Sequence, residues 1–237
     1  MIRTGTPVAA LASRKKHTLA NGTGYFKRDL IASPAGERLA PQSFLVEQDA
    51  DSVILPHFHL QNEFQVVVQG GGTFGRHAVR PLSVHYAGAH TGYGPITSNS
   101  EGLWYFTLRP SMDSGAKFLP ESRAEMKKGP KRQLLGEVLE VSEDCSRLSA
   151  PSCVEAFAPQ ADGIGAWFLR IPPNESLTAP ALAGGLGRFY VIAAGRARVA
   201  GTSLARWATV FVTPDEEPMA VQAESDGAEV LVLQFPQ

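Results

Sequence analysis

The sequence predicts an all-β protein made of two tandem β-units joined by a connector with a short helix. Three observations carry this. Short apolar or alternating runs, rich in Val, Phe, Tyr and Ile, recur between Gly, Pro, Asp and Asn throughout the 237 residues. The two halves can be aligned on each other. Only one segment has both a helix start and a helix stop.

In chain order, the first half carries "SFLVE", "SVILPHFH", "EFQVVVQ", "LSVHY" and "LWYFTL". Such runs suit a pleated surface with one buried face, and their spacing suggests a sandwich or barrel. "LPESRAEMKKG" follows, with Pro120 near a helix start and Gly129 as a stop. The second half carries "AWFLRI", "RFYVIAA", "ATVFV" and "AEVLVLQF". The expected division is an N-terminal arm with first strands over 1–40, a first unit over 41–115, a connector over 116–150 and a second unit over 151–237.

Internal repetition supports the division. Aligned without a gap, Phe44 falls on Phe168 and Pro56 on Pro180; after one inserted residue, Phe64 falls on Phe189, Val66 on Val191 and Gly70 on Gly195. Further on, "EGLWYFTLRP" falls on "DGAEVLVLQFP".

Composition narrows the function. A net charge of −1, with interspersed signs, gives no footprint for nucleic acid or an acidic membrane surface. No apolar run is long enough to span a bilayer, and the start has no signal-like core. The two cysteines read as free thiols in a reducing cytoplasm. "GGGTFG" fits a dinucleotide-binding glycine pattern, but Pro81 would interrupt the helix that such a site needs. A glycine-rich β-hairpin is the expected structure.

The chemistry gathers in "ILPHFHLQNEFQVVVQGGGTF". On a strand, His57 and His59 share a face, and a turn over Leu60–Asn62 lets Glu63 reach it from the next strand. Two neutral imidazoles and a carboxylate form a facial set suited to a divalent transition ion, Fe(II) above all, with Zn, Mn or Ni as alternatives. In the second copy these positions hold Ala181, Ala183 and Arg188, so the fold does not require the polar set. Gln65 and Val67 alternate in phase with Glu63. Gln65 is the candidate for orienting a substrate, although a hydrogen-bonded core amide is an equal reading.

This stretch resembles the first motif of the cupin superfamily. That motif places two histidines one apart, a Glu four residues after the second and a Gly seven further on. His57, His59, Glu63 and Gly70 occupy those places, and Asp51 stands where the motif usually begins with Gly. The second motif would supply a fourth histidine. In "PLSVHYAGAHTGYGPI" its Pro is missing; His90 is the first choice and His85 the competitor. The resemblance implies two jelly-roll barrels (a bicupin) with one metal ion in the N-terminal unit and a second, degenerate unit without metal ligands. That second unit is expected to pack against the first or to form a homodimer. The implied function is a metal-dependent enzyme acting on a small organic molecule, with dioxygenases the leading class. A non-enzymatic ligand-binding or sensor protein is the alternative.

Overall fold

The computed structural model describes residues 1–32, 39–136 and 139–237. Residues 33–38 of the expected arm and 137–138 of the connector lie outside this set. The chain forms two compact units, Ala10–Val138 and Met1–Ala9 with Leu139–Gln237. Strand Ile2–Gly5 pairs antiparallel with Thr209–Val212, so the first residues complete the C-terminal unit instead of leading into the other.

In the N-terminal unit the main sheet runs, in spatial order, Gln133–Leu135, Val84–Ala87, Glu63–Phe74, Ile96–Arg109, Gln42–Gln48, Gly24–Ile31 and Lys15–Thr18. Long strands bend at register shifts, as between Ser98 and Leu103, which lets one hydrogen-bonded sheet wrap into a jelly roll. Alternation sorts the side chains. Phe44, Val46, Val67, Leu103 and Tyr105 pack on the interior face with Phe74 and Ile96. Phe64 turns to the other face, its ring 5.1 Å from that of Tyr86.

The glycine run is β-structure, as expected. Glu63–Phe74 is one strand that turns back at Gly75. Gly70 has φ +71°, and a Cβ there would lie 2.0 Å from the carbonyl oxygen of Gly102. Gly195 of the C-terminal unit repeats this, 2.1 Å from the oxygen of Gly227. Both ladders place these glycines alike, with Gly70 opposite Leu103 and Gly195 opposite Ala228.

The ladders correct the repeat alignment in one strand. Leu45 pairs with Phe106 and Phe168 with Leu231, so Phe44 corresponds to Trp167, not Phe168. The ungapped alignment is one residue out there, and a one-residue slip exchanges the two faces of a strand. With the register corrected, Phe44 and Trp167 both face their unit's interior. The C-terminal interior is apolar, with Trp167, Leu169, Ile171, Ile192, Val230 and Val232.

The connector carries less helix than expected: among its described residues, two 3-10 turns at Arg123–Glu125 and Cys145–Arg147. The segment is mostly exposed and has no apolar stripe, so a longer helix would have nothing to bury. Among the described residues no helix is long and apolar enough to cross a membrane.

Candidate functional site

His57 begins a two-residue strand that pairs with Lys117–Phe118. Its backbone also exchanges two hydrogen bonds, each 3.0 Å, with Tyr93. That bridge carries the Tyr93 ring into the interior beside His57 and His59, the site that sequence reasoning had reserved for His90.

The imidazoles are held from behind. His57 Nδ1 lies 2.8 Å from the Leu55 carbonyl, which can only accept, so this nitrogen carries the proton. Burial, with the charge of His59, pushes the His57 pKa down to about 4. The ring is therefore neutral near pH 7, and Nε2 presents a lone pair to the Tyr93 hydroxyl at 3.0 Å. His59 Nδ1 lies 2.9 Å from Asp113 Oδ1. Asp113 also accepts from the backbone N–H groups of Leu60 and Gly115, each at 2.8 Å. Burial works against its ionisation, but the bond from His59 and the charge of Arg109 hold this carboxyl well below the usual range.

Glu63 is fully buried beneath the two rings. Its Oε1 accepts from the Tyr93 hydroxyl at 2.5 Å. Its Oε2 accepts from Arg109 Nε at 3.0 Å and Nη2 at 2.7 Å. Burial opposes the charge, yet His59 and Arg109 outweigh it and keep the carboxyl below its ordinary pKa. The single Tyr93 proton is committed to Glu63, so the His57 Nε2 lone pair faces an oxygen with no proton left for it.

Gln65 joins this network to a third histidine. Its Oε1 accepts from His85 Nδ1 at 2.8 Å, and its Nε2 donates to the Tyr93 oxygen at 3.2 Å. Burial pushes the His85 pKa down to about 4, so its Nε2 is a buried acceptor, and it has no hydrogen-bond partner. The His85 ring stands edge-on to Phe74 and 5.2 Å from Tyr93.

His90 is not brought to this group. It sits at φ +58°, its N–H donates to the His59 carbonyl at 2.7 Å, and its ring lies 5.9 Å from that of Phe58. Phe58 points to the opposite strand face from His57 and His59, so the His90 ring follows it away from the interior. There His90 Nδ1 accepts the Lys127 N–H at 3.4 Å. His17 stacks on Tyr25 at 5.1 Å and also lines the cavity.

That cavity measures about 400 Å³. His57, His59, Gln65, Tyr93 and Arg109 form its polar wall, and Phe44, Tyr105 and Phe118 part of its apolar wall. The donors are of the kind a divalent transition ion takes: two imidazoles, a carboxylate and a phenol. Glu63 and Asp113 are paired with Arg109 and face the His59 ring. The arrangement itself is a hydrogen-bonded network: among the described residues no three His, Cys, Asp or Glu side chains stand ready as metal ligands. Sequence reasoning missed Arg109 and Asp113. A signal was available for the first, since Arg109 is the charged residue that ends the otherwise buried "LWYFTLR" strand.

No protein-family model matches the chain, and no curated protein matches it in sequence. Solved structures do match. A candidate dioxygenase from Nostoc punctiforme superposes with a TM-score of 0.68 at 11% identity, covering 100% of this chain and 83% of that one. The pirin YhhW of Escherichia coli, solved in complex with nickel(II), gives 0.60 at 12% identity, covering 100% and 99%. Oxalate decarboxylase of Bacillus subtilis, studied for its Mn(II) centres, gives 0.59 at 13% identity, covering 96% and 76%. At these identities the likeness is one of fold, and it runs through both units: the chain has the fold of a two-domain cupin.

Proposed function

We propose that this chain is a metal-dependent cupin enzyme acting on a small organic molecule, with its ion held by His57, His59 and Glu63. One observation carries the reading. The Nδ1 atoms of both histidines face acceptors behind them, Leu55 and Asp113, with Arg109 Nη2 also 3.0 Å from His59 Nδ1, and metal-binding imidazoles are commonly oriented from that side. The Nε2 atoms are then left for the site. The unsatisfied lone pair of His57 supports the same reading.

A bound divalent ion supplies Lewis acidity, and a redox-active one can bring dioxygen and an organic substrate to one centre. Fe(II) is the favoured ion for this mixed donor set. The chain's own residues would do the rest. Gln65, which lines the cavity, would present its amide to an oxygen-bearing substrate. Phe44, Tyr105 and Phe118 shape an apolar wall that excludes water. His90 is left out of the ligand set because its ring lies against Phe58; the fourth donor near His57 is the Tyr93 oxygen. A second reading, a binding protein without catalysis, is favoured by the internal pairing of Glu63 with Arg109 and Tyr93.

Metal analysis of the purified protein is the first test, followed by oxygen uptake with catechols, hydroxybenzoates and β-diketones. The proposal expects about one ion per chain, lost in the His57→Ala/His59→Ala protein. Metal content unchanged in that variant would overturn the ligand assignment. One ion per chain with no turnover of any compound would favour the binding protein.

A further inference from the structure

We propose that Arg109 is a displaceable counter-ion: its guanidinium holds Glu63 in the metal-free protein and must yield that carboxylate before a divalent ion can take it. The inference rests on the metal-binding reading, and its test separates the two.

Arg109 directs two N–H groups, Nε and Nη2, at the same oxygen, Glu63 Oε2. That oxygen is also the one facing His59 Nε2, at 3.9 Å. The guanidinium, whose Nη2 also lies 3.0 Å from His59 Nδ1, therefore sits across the Glu63–His59 pair and already holds the carboxylate oxygen nearest to His59 Nε2. Two cations on one buried oxygen repel each other strongly in a low-dielectric interior. Binding of the ion requires Arg109 to move.

A place for it exists. Arg109 Nη1 is 3.6 Å from Asp113 Oδ1, longer than a hydrogen bond and short enough to close by a small swing. Asp113 Oδ1, which already accepts from His59 Nδ1 and the Gly115 N–H, then takes the guanidinium as a third donor. The ring of Phe44, 5.4 Å from the guanidinium carbon, gives that swing a flat apolar surface.

The fold does not need an arginine here. The ladders place Gln234 at the equivalent position of the C-terminal unit, beside Arg188 where the first unit has Glu63. The Gln234 amide is satisfied by the carbonyls of Gly163 and Leu182, with no buried charge pair at all.

The test compares metal affinity in the wild type, Arg109→Gln and Arg109→Lys, using Zn(II) and Ni(II) in competition with a chromophoric chelator, with circular dichroism to check folding. The amide of Arg109→Gln can still donate to Glu63 but carries no charge, so its affinity should exceed that of the wild type by about 10- to 100-fold. Arg109→Lys keeps the charge and should stay within a few-fold of the wild type. Equal or weaker binding by Arg109→Gln, beside a wild type that binds, overturns the inference and leaves the metal reading standing. Failure of all three proteins to bind overturns both. Binding by Arg109→Gln alone supports the inference and shows that in the wild type the arginine has replaced the ion. Should Arg109→Gln not fold, nitrogen-15 spectra of the wild type decide. The Arg109 Nε–H signal, identified by its loss in Arg109→Lys, should shift when Zn(II) binds; bound Zn(II) with that signal unmoved overturns the inference.

Discussion

Gly70→Ala tests whether the glycine-rich run is there for strand geometry. Two costs follow from the structure. Gly70 has φ +71°, a region where a side chain costs about 1–2 kcal/mol. A Cβ there would also lie 2.0 Å from the Gly102 carbonyl oxygen, well inside any contact distance. Gly102 cannot retreat freely, since a Cβ direction on its own Cα already meets the Gln48 oxygen at 2.9 Å. Forcing the strands apart should cost about 1–3 kcal/mol more. Gly22→Ala is the control: φ is +85°, with nothing within 4 Å of the added carbon, so only the first cost applies. Urea titration by circular dichroism gives the stabilities, and amide exchange along Glu63–Phe74 locates the loss. Gly70→Ala should be the less stable by at least about 1 kcal/mol. Equal stabilities would show that the close approach to Gly102 does not govern this position.

Four further outcomes are expected. Tyr93→Phe removes the donor to Glu63 Oε1 and should destabilise the N-terminal unit by about 1.5–3 kcal/mol in urea, with a loss under 0.5 kcal/mol counting against the network. Arg109→Met should cost about 3–5 kcal/mol by leaving Glu63 buried and unpaired, and Glu63→Met in the same chain should restore most of it; a double variant as unstable as the single one would refute this account. His90→Ala should leave metal content unchanged where His57→Ala lowers it, as measured by elemental analysis; the reverse would return His90 to the site. Of the two free thiols, exposed Cys153 should react with a disulfide reagent in the native protein and buried Cys145 only on unfolding, since burial also pushes the Cys145 thiol up to about 11. Equal native rates would contradict the packing around Cys145.

What could be read in the sequence was local or periodic. Alternating Val, Ile, Phe and Tyr marked the strands because one face of each is buried, and the spacing of His57, His59 and Glu63 marked their common face because strand geometry fixes it. The repeat was legible where glycines and ladders coincide, at Gly70 and Gly195. It slipped by one residue at Phe44 because apolar residues line both faces there: Leu45 and Phe168 are as buried as Phe44 and Trp167. His90 misled because a backbone turn decides where a ring points, and φ +58° at that residue sends it toward Phe58. Arg109 and Asp113 stayed hidden because their partners lie 46 and 54 residues away, joined by strand pairing and a loop and not by any motif.

The contrast between the two units bears on why the polar network persists. Corresponding positions hold Glu63 and Arg188, Gln65 and Tyr190, Arg109 and Gln234. The C-terminal unit fills its interior with Trp167, Tyr190, Val230 and Val232, and its buried carboxylate, Glu229, lies on the other strand face, paired with Arg170. The N-terminal unit buries Glu63, Arg109 and Asp113 together, and each charge taken out of water costs several kcal/mol before pairing offsets it. An apolar interior of the same fold is available to this sequence, because the other half has one. The network therefore contributes something other than folding stability. His57, His59, Gln65, Tyr93, Arg109 and Asp113 line a 400 Å³ cavity, and two histidines hold unprotonated nitrogens in the interior, His57 toward Tyr93 and His85 toward no partner. These acceptors, His57 Nε2 and His85 Nε2, are the feature of the network that the proposed cation-binding role accounts for and that folding alone does not.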